Sequence, residues 1–214
     1  MGNQMTDDVY SWGSQQWETR FKQSSADSQP LQGSVGLEVH IAADAYRARY
    51  GEGTAHAVDI GAGDGRHTLY LVARGFDVLA VDAAPSGIEL IRQRLKRDSL
   101  QAELIVADLR KYESPAPVDL LVASYIIHLL PLPYDLIDTW QAKVRPGGIC
   151  SVSTRGRFPN DPDELWFPAD FELKRLFEGA GWLVLHAREE DNWNAGMERP
   201  IRGRAVVAIK PETS

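Results

Sequence analysis

The chain has 214 residues, 43% of them hydrophobic, and a formal net charge of -7, which suits one domain with room for an elaboration. The acidic balance argues against a nucleic-acid partner, because phosphate neutralisation needs a clustered Lys/Arg surface. A single cysteine, Cys150, excludes an internal disulfide and a cysteine metal cluster, and no apolar run reaches the ~20 residues of a membrane span.

The opening stretch MGNQMTDDVYSWGSQQW has no apolar signal core and carries Asp7 and Asp8, so no secretion signal is read there. A cytoplasmic, reducing location is the resulting expectation, with no resident metal, and a monomer or homodimer as the assembly. Cys150 lies in the apolar run GICSVS and reads as a buried strand thiol.

Residues 1–52 read as an N-terminal helical extension or lid, and 53–214 as the main domain. In the extension Tyr10, Trp17 and Phe21 recur at about helical spacing, with Trp12 nearby. The turn-rich SSADSQPLQGS follows, then a helix in LEVHIAADAYRARY closed by Gly51. The run AVDIG predicts a strand. Arg66 to Arg74 predict a helix with Leu69, Val72 and Ala73 inward and Gly75 at its end. DVLAVD is the next strand. Pro85 opens a helix with Ile88, Ile91 and Leu95 on one side and the charges of RQRLKRD on the other. Further strands are expected in AELIVAD, VDLLVAS and GGICSVS. Helices are expected in PYDLIDTWQAKV and over 168–180, the latter with Leu173, Leu176, Phe177 and Ala180 at i, i+3, i+4, i+7. WLVLHARE and RAVVAIK end the chain as two strands flanking a loop, DNWNAGMERPIRG. Alternating strands and helices predict an α/β fold, a mostly parallel sheet with helices on both faces. The last two strands lack an intervening helix and should pair antiparallel.

The chemistry concentrates at the first strand-to-helix turn, G-A-G-D-G, with glycines at 61, 63 and 65. In an open α/β sheet the ligand lies beyond the carboxyl ends of the strands, where strand order reverses. The dinucleotide fingerprint G-x-G-x-x-G places its third glycine one residue later, where this chain has Arg66. That departure disfavours a nicotinamide-dependent oxidoreductase. Asp82 ends the second strand, where a carboxylate can take both hydroxyls of a ribose. Asp108 follows the third strand, placed to meet an adenine edge, and Asp59 sits two residues before Gly61. Singly, each aspartate also reads as a turn or helix-cap residue. At successive strand tips they outline a pocket for adenosine joined to a zwitterionic amino acid.

VDIGAGDGRHTLYL, VLAVDAAPSG, IVADLRKY, VDLLVASYIIHLL and VRPGG resemble the successive motifs of class I S-adenosylmethionine-dependent methyltransferases. GAGDGRHTLYLVARGFDVLAVDAAPSGIE and DELWFPADFELKRLFEGAGWLVLHARE are further similar to tellurite-resistance methyltransferases. The resemblance implies a Rossmann-like sheet of seven strands, one of them antiparallel near the C-terminus, with S-adenosyl-L-methionine as cofactor. It implies that Gly61, Ala62 and Gly63 approach the methionine part and that Asp59 holds the acidic position of the first motif. Asp82 would hold the ribose, Ala83 would pack on the adenine, and Asp108 with Leu109 would hold its amino edge. Ser124 would lie where the cofactor's amino group and the acceptor meet.

The implied reaction is methyl transfer to a small-molecule acceptor by in-line displacement, in which alignment and exclusion of water do most of the work. His128 and Tyr125 are the catalytic candidates, a base being needed only if the acceptor arrives protonated. His67, next to the turn, reads as a helix-start residue. Arg155, Trp166, Tyr10 and Trp17 are the substrate-binding candidates, with Arg157, Phe167 and Trp12 beside them. Acceptors at O, N or S, and tellurite- or selenite-type oxyanions, stay open. ASYI stands where an Asn/Asp-Pro-Pro-Tyr signature would mark a base N-methyltransferase. A cofactor-binding regulator without turnover is the reading from another class.

Overall fold

The computed structural model describes residues 2–31, 33–112, 117–130, 133–157, 166–194 and 199–212. Helices α1 (Gly2–Lys22) and α2 (Leu37–Tyr50) precede β1 (His56–Ile60), α3 (Arg66–Ala73), β2 (Asp77–Asp82), α4 (Pro85–Arg97), β3 (Glu103–Val106) and β4 (Val118–Ser124). A short 3₁₀ turn (Ile127–Leu129), α5 (Pro133–Lys143), β5 (Val144–Arg155), α6 (Glu172–Gly179), β6 (Leu183–Asn194) and β7 (Arg199–Ile209) complete the chain. The strands form one seven-stranded sheet in the order β3-β2-β1-β4-β5-β7-β6. β1 to β5 pair in parallel, and β7 runs antiparallel to both its neighbours. The mostly parallel sheet and the antiparallel final connection are both as expected.

Burial follows from the strand period of two. Leu121 and Ala123 of β4 join Val58, Ile60, Val81, Val152, Phe177 and Trp182 in one core cluster. Leu120 and Val122 face the other side, against Val39, Ala42, Ala43 and Tyr46 of α2. A network also ties α2 to the sheet. Asp119 accepts hydrogen bonds from the Tyr46 hydroxyl at 2.7 Å and the Arg145 Nε at 2.5 Å with one oxygen, and from the His56 N–H at 2.8 Å with the other. Cys150 is fully buried, and burial pushes its thiol far above the ordinary range, which fits a strand thiol.

Four sequence expectations are corrected. α3 buries His67, Thr68 and Leu71, while Ala73 is exposed and Leu69 and Val72 are only partly covered. Two polar residues go inside because each finds a partner there: Thr68 on Asp59, His67 on the Gly36 N–H. α4 buries Arg94 on the stripe of Ile91 and Leu95, instead of exposing it. The C-terminal loop is shorter than expected, because β6 runs on to Asn194 and β7 starts at Arg199. The prolonged pairing sets Glu189 opposite Arg204, an ion pair at 2.5 Å, and Asp191 opposite Arg202 in register. The last helix starts at Glu172, not 168, with the Glu172 carboxylate accepting the Ala169 N–H at 2.6 Å and Phe171 held at φ 58°.

Candidate active site

The sheet order reverses between β1 and β4, and the site opens at the carboxyl ends of β1, β2 and β4. After β1 the chain turns back at once. The Gly61 and Ala62 N–H groups both donate to the Val81 carbonyl, at 2.8 and 3.0 Å. Gly63 then sits at φ 59°, which only glycine adopts at no steric cost. Asp82, at the tip of β2, braces this turn. One carboxylate oxygen accepts the Gly63 N–H at 2.7 Å and the other the Ala84 N–H at 2.8 Å. Burial raises its pKa, and those N–H groups oppose the rise.

Asp59 lies beneath the turn, 1% exposed. Its Oδ2 accepts the Thr68 hydroxyl at 2.7 Å, and its Oδ1 finds no hydrogen-bond partner among the described residues. Burial pushes its pKa to about 6, the Thr68 hydroxyl and the Arg66 charge opposing and Asp82 adding to the rise. Between the unfolded value and about 6 the folded chain therefore holds a proton that the unfolded chain has lost. Stability from this group falls as pH rises through that window, and the deficit persists above it. Asp59→Asn should accordingly be more stable than the parent at pH 8, by about 2–3 kcal/mol. The advantage should shrink below pH 5. Urea unfolding at both pH values reads the difference, and a pH-independent offset would contradict the assignment.

The cavity is a partly open cleft of about 50 Å³. Gly61, Gly63, Asp82, Ala83, Leu109 and Ser124 form its floor and walls, with Tyr125, Ile126 and Leu129 on the acceptor side. Helix α1 roofs it with Tyr10, Gly13, Ser14, Trp17 and Phe21. Glu18 fastens that roof to the start of α4, accepting the Ser86 N–H at 3.0 Å and its hydroxyl at 2.7 Å. Tyr10 fastens the other end: its hydroxyl accepts the Leu109 N–H at 3.1 Å, and the Arg110 guanidinium lies 4.2 Å above its ring. Burial pushes the Tyr10 hydroxyl up to about 12, so it stays protonated.

The structure brings together most of the expected cofactor residues. Ala62 lines an adjoining hollow. Asp108 lies outside the cavity lining, held by Arg110 in a forked pair that lowers its pKa. Tyr10 and Trp17 line the cavity; the side chain of Trp12 lies outside the described residues. Of the other candidates, Tyr125 lines the cavity, whereas His128, Arg155, Arg157 and Trp166 sit apart from its lining. His128 is buried, hydrogen-bonded through Nδ1 to the Thr154 hydroxyl at 2.9 Å and stacked on Phe167 at 5.7 Å. The guanidinium groups of Arg155 and Arg157 lie 4.4 and 5.1 Å from the centre of that same ring. Trp166 turns away, its indole N–H donating to the Tyr134 hydroxyl at 3.2 Å. Tyr125 stands at φ 57°, its N–H donating to the Ser153 carbonyl at 2.7 Å.

Sequence reasoning missed Gly87. A Cβ there would lie 2.6 Å from the Gly63 carbonyl oxygen and 3.0 Å from the Phe21 ring. A side-chain-free position in the first turn of α4 is what lets that helix seat against both the glycine turn and the roof. The only signal was a glycine inside a helical pattern, which usually has a packing reason.

Together, the reversed β7, the reversal point beside β1 and a cleft over a bare turn define the class: an α/β methyltransferase fold. The comparisons agree. Residues 57–148 match the family described as a methyltransferase domain. A trans-aconitate 2-methyltransferase of Azoarcus sp. (strain BH72) is 34% identical over 51% of this chain and 41% of that protein. A protein of Eikenella corrodens named Hemagglutinin 1 is 26% identical over 89% of this chain and 71% of its own length. Among solved structures, TehB from Haemophilus influenzae superposes with a TM-score of 0.68 at 19% identity, covering 82% of this chain and 62% of that one. The N-methyltransferase NodS from Bradyrhizobium japonicum gives 0.63 at 17%, covering 92% and 99%. These structural likenesses show the fold. The chain spans less than half of the trans-aconitate and ubiquinone-biosynthesis methyltransferases it matches. Residues 57–148 thus carry a methyltransferase domain, on a fold shared with solved methyltransferases described as dependent on S-adenosylmethionine or holding S-adenosylhomocysteine.

The site fits that group. The glycine turn leaves main chain exposed toward the cavity, Asp82 is buried at its edge, and the unpartnered Asp59 Oδ1 is a buried acceptor below. No described helix is long and apolar enough to cross a membrane.

Proposed function

We propose that this chain transfers the methyl group of S-adenosylmethionine to a small anionic acceptor by in-line displacement. The cofactor supplies a methyl group already activated on a sulfonium. Asp82 holds the ribose, Ala83 flanks the adenine, and Leu109 lies at its edge. The glycine turn and Ser124 carry the methionine arm. The α1 roof, Trp17 above all, excludes water, and positioning by such walls can lower the barrier by several kcal/mol.

The observation that carries the anionic reading is the pair of guanidinium groups, Arg155 and Arg157, over Phe167 beside His128. They lie just past Ser153, whose hydroxyl meets that of Ser124 in the cavity wall at 2.8 Å. Arginine forks suit carboxylates and oxyanions as charge-assisted donors. An ionised acceptor needs no base, which leaves His128, tied to Thr154, and Tyr125 as positioning groups. A carboxylate is the first acceptor class, supported by the relatives named for trans-aconitate. A tellurite- or selenite-type oxyanion is the second, in line with the likeness to TehB.

The test is a panel of carboxylates, chalcogen oxyanions, thiols, phenols and amines, with methylation read by mass. Anions should be methylated, and the Arg155→Gln/Arg157→Gln pair should raise KM for them about ten-fold or more. Turnover confined to neutral phenols or amines would reject the anionic reading. S-adenosylhomocysteine binding that is lost in Asp82→Ala, with no turnover on any acceptor, would favour the regulator.

A further inference from the structure

On the nucleoside side of the cavity, helix α1 already engages two groups. The Leu109 N–H donates to the Tyr10 hydroxyl at 3.1 Å, and the same hydroxyl hydrogen-bonds the Asp108 carboxylate. Tyr10 is 7% exposed, and the Arg110 guanidinium that forks onto Asp108 also lies 4.2 Å from the centre of its ring. The Watson–Crick edge of adenine offers a ring-nitrogen acceptor beside an amino donor. A phenol offers both on one oxygen. Tyr10 thus meets Leu109 and Asp108 with the chemistry that an adenine edge would bring to the same two residues.

The helix is unevenly held. Its second half is anchored: Phe21 is buried with Ala84 and Leu90, and Glu18 accepts both the N–H and the hydroxyl of Ser86. Tyr10 ties down its first half. Gly13 separates the two, and packing does not demand a glycine there. Its φ is not left-handed, and among the described residues a Cβ would meet only Leu129, at 3.8 Å, an ordinary contact. A glycine inside a helix costs about 0.5–1 kcal/mol relative to alanine, so α1 is weakest between its anchored half and Tyr10. With α1 docked, the cleft beneath it measures about 50 Å³, against roughly 300 Å³ or more for an ordinary small-molecule site. A nucleoside carrying an amino-acid arm needs more room, and the first half of α1 is the wall that can give it.

We propose that α1 gates the cofactor site: while docked, Tyr10 occupies the adenine-facing groups of Asp108 and Leu109, and the cofactor binds only after the half of the helix that carries Tyr10 swings away at Gly13. The inference rests on the cofactor placement given under the proposed function. It makes Tyr10 a competitor of the adenine rather than a wall of its pocket. The affinity of the parent chain is then reduced in proportion to the fraction of open chains. Trp17 and Phe21, on the anchored half, keep their places in the roof.

The experiment is isothermal titration of the full chain with S-adenosylhomocysteine, paired with hydrogen exchange along α1. Tyr10→Phe keeps the ring and removes the hydroxyl, and should tighten binding about two- to ten-fold, the range for one hydrogen bond lost from the closed state. Gly13→Ala stiffens the helix and should weaken binding about two- to five-fold. In the Tyr10→Phe background that loss should largely vanish, because the closed state no longer competes. Equal losses in both backgrounds would mean that the methyl group intrudes on the ligand, and would overturn the hinge at Gly13. Saturating ligand should speed exchange in the first half of α1 and leave the amides around Phe21 unchanged. Unchanged or weaker binding by Tyr10→Phe, or slower exchange in the first half, would overturn the gate, since α1 would then close over a bound nucleoside. Binding that Asp82→Ala leaves intact would instead overturn the cofactor placement itself, and the inference with it.

Discussion

Arg94→Ala is expected to lower stability by about 3–5 kcal/mol, because it strands a buried carboxylate without its counter-ion. Arg94 is 2% exposed and reaches across from α4 to the segment below the glycine turn. Its guanidinium lies 3.2 Å from Asp64, and donates to the Asp64 carbonyl at 2.7 Å and the Ser28 carbonyl at 3.2 Å. One side chain thus holds the turn, α4 and the linker between α1 and α2 in register. Removing it also leaves two carbonyls short of a donor, each loss adding to the penalty. Urea unfolding gives the measurement. Arg94→Met with Asp64→Asn removes both charges together, and should be less damaging than Arg94→Ala. A loss below 1 kcal/mol for the single variant would mean that water or backbone shifts replace the guanidinium at little cost, contrary to this account.

That residue also marks where sequence reasoning stopped. The run RQRLKRD reads as a solvated face because arginine is rarely buried, yet Arg94 falls three residues after Ile91 on the inward stripe. Periodicity placed the position correctly; residue type overruled it wrongly, since nothing local announced Asp64 and two carbonyls as partners. The sheet was more legible. Short apolar runs between helical patterns can be covered on both faces only as a parallel sheet, and a helix-free last connection forces the reversal seen in β7. The extent of the β6–β7 ribbon was not legible, because its polar end is stabilised by strand-to-strand pairing that leaves no hydrophobic alternation to read.

The cavity floor was legible because it is carried by the ends of successive strands: Gly61 after β1, Asp82 after β2, Ser124 after β4. The roof was half visible. Tyr10, Trp17 and Phe21 share a helix face, which reads first as packing and second as a substrate cage. Which one holds depends on where α1 docks, a long-range fact set by Glu18 on Ser86 and Tyr10 on Leu109. Tyr10, Trp17 and Phe21 line the cavity from that helix. The acceptor side was least legible. Arg155, Arg157 and His128 converge on Phe167 from separate segments, and no sequence spacing encodes that meeting.

The second large effect is expected at Gly61. Its φ of 71° places an L-residue in the left-handed region, at about 1–2 kcal/mol. A Cβ there would also lie 2.8 Å from the Ile126 Cγ1 and 2.9 Å from its Cβ, an overlap that costs a further 1–3 kcal/mol or so. Gly61→Ala should therefore lose about 2–5 kcal/mol. The two terms can be separated. At Gly63 a Cβ would meet only Phe21, at 3.5 Å, an ordinary contact. Gly63→Ala should show the conformational term alone. Ile126→Ala in the Gly61→Ala background should relieve the overlap and return roughly that part of the loss, after its own single-variant effect is subtracted in a double-mutant cycle. Ile126 follows Tyr125 in the cavity wall, so an unrelieved methyl group at position 61 should push that wall outward and weaken S-adenosylhomocysteine as well. Equal losses at positions 61 and 63, or no coupling to Ile126, would place the turn and the acceptor-side loop further apart than the structure has them.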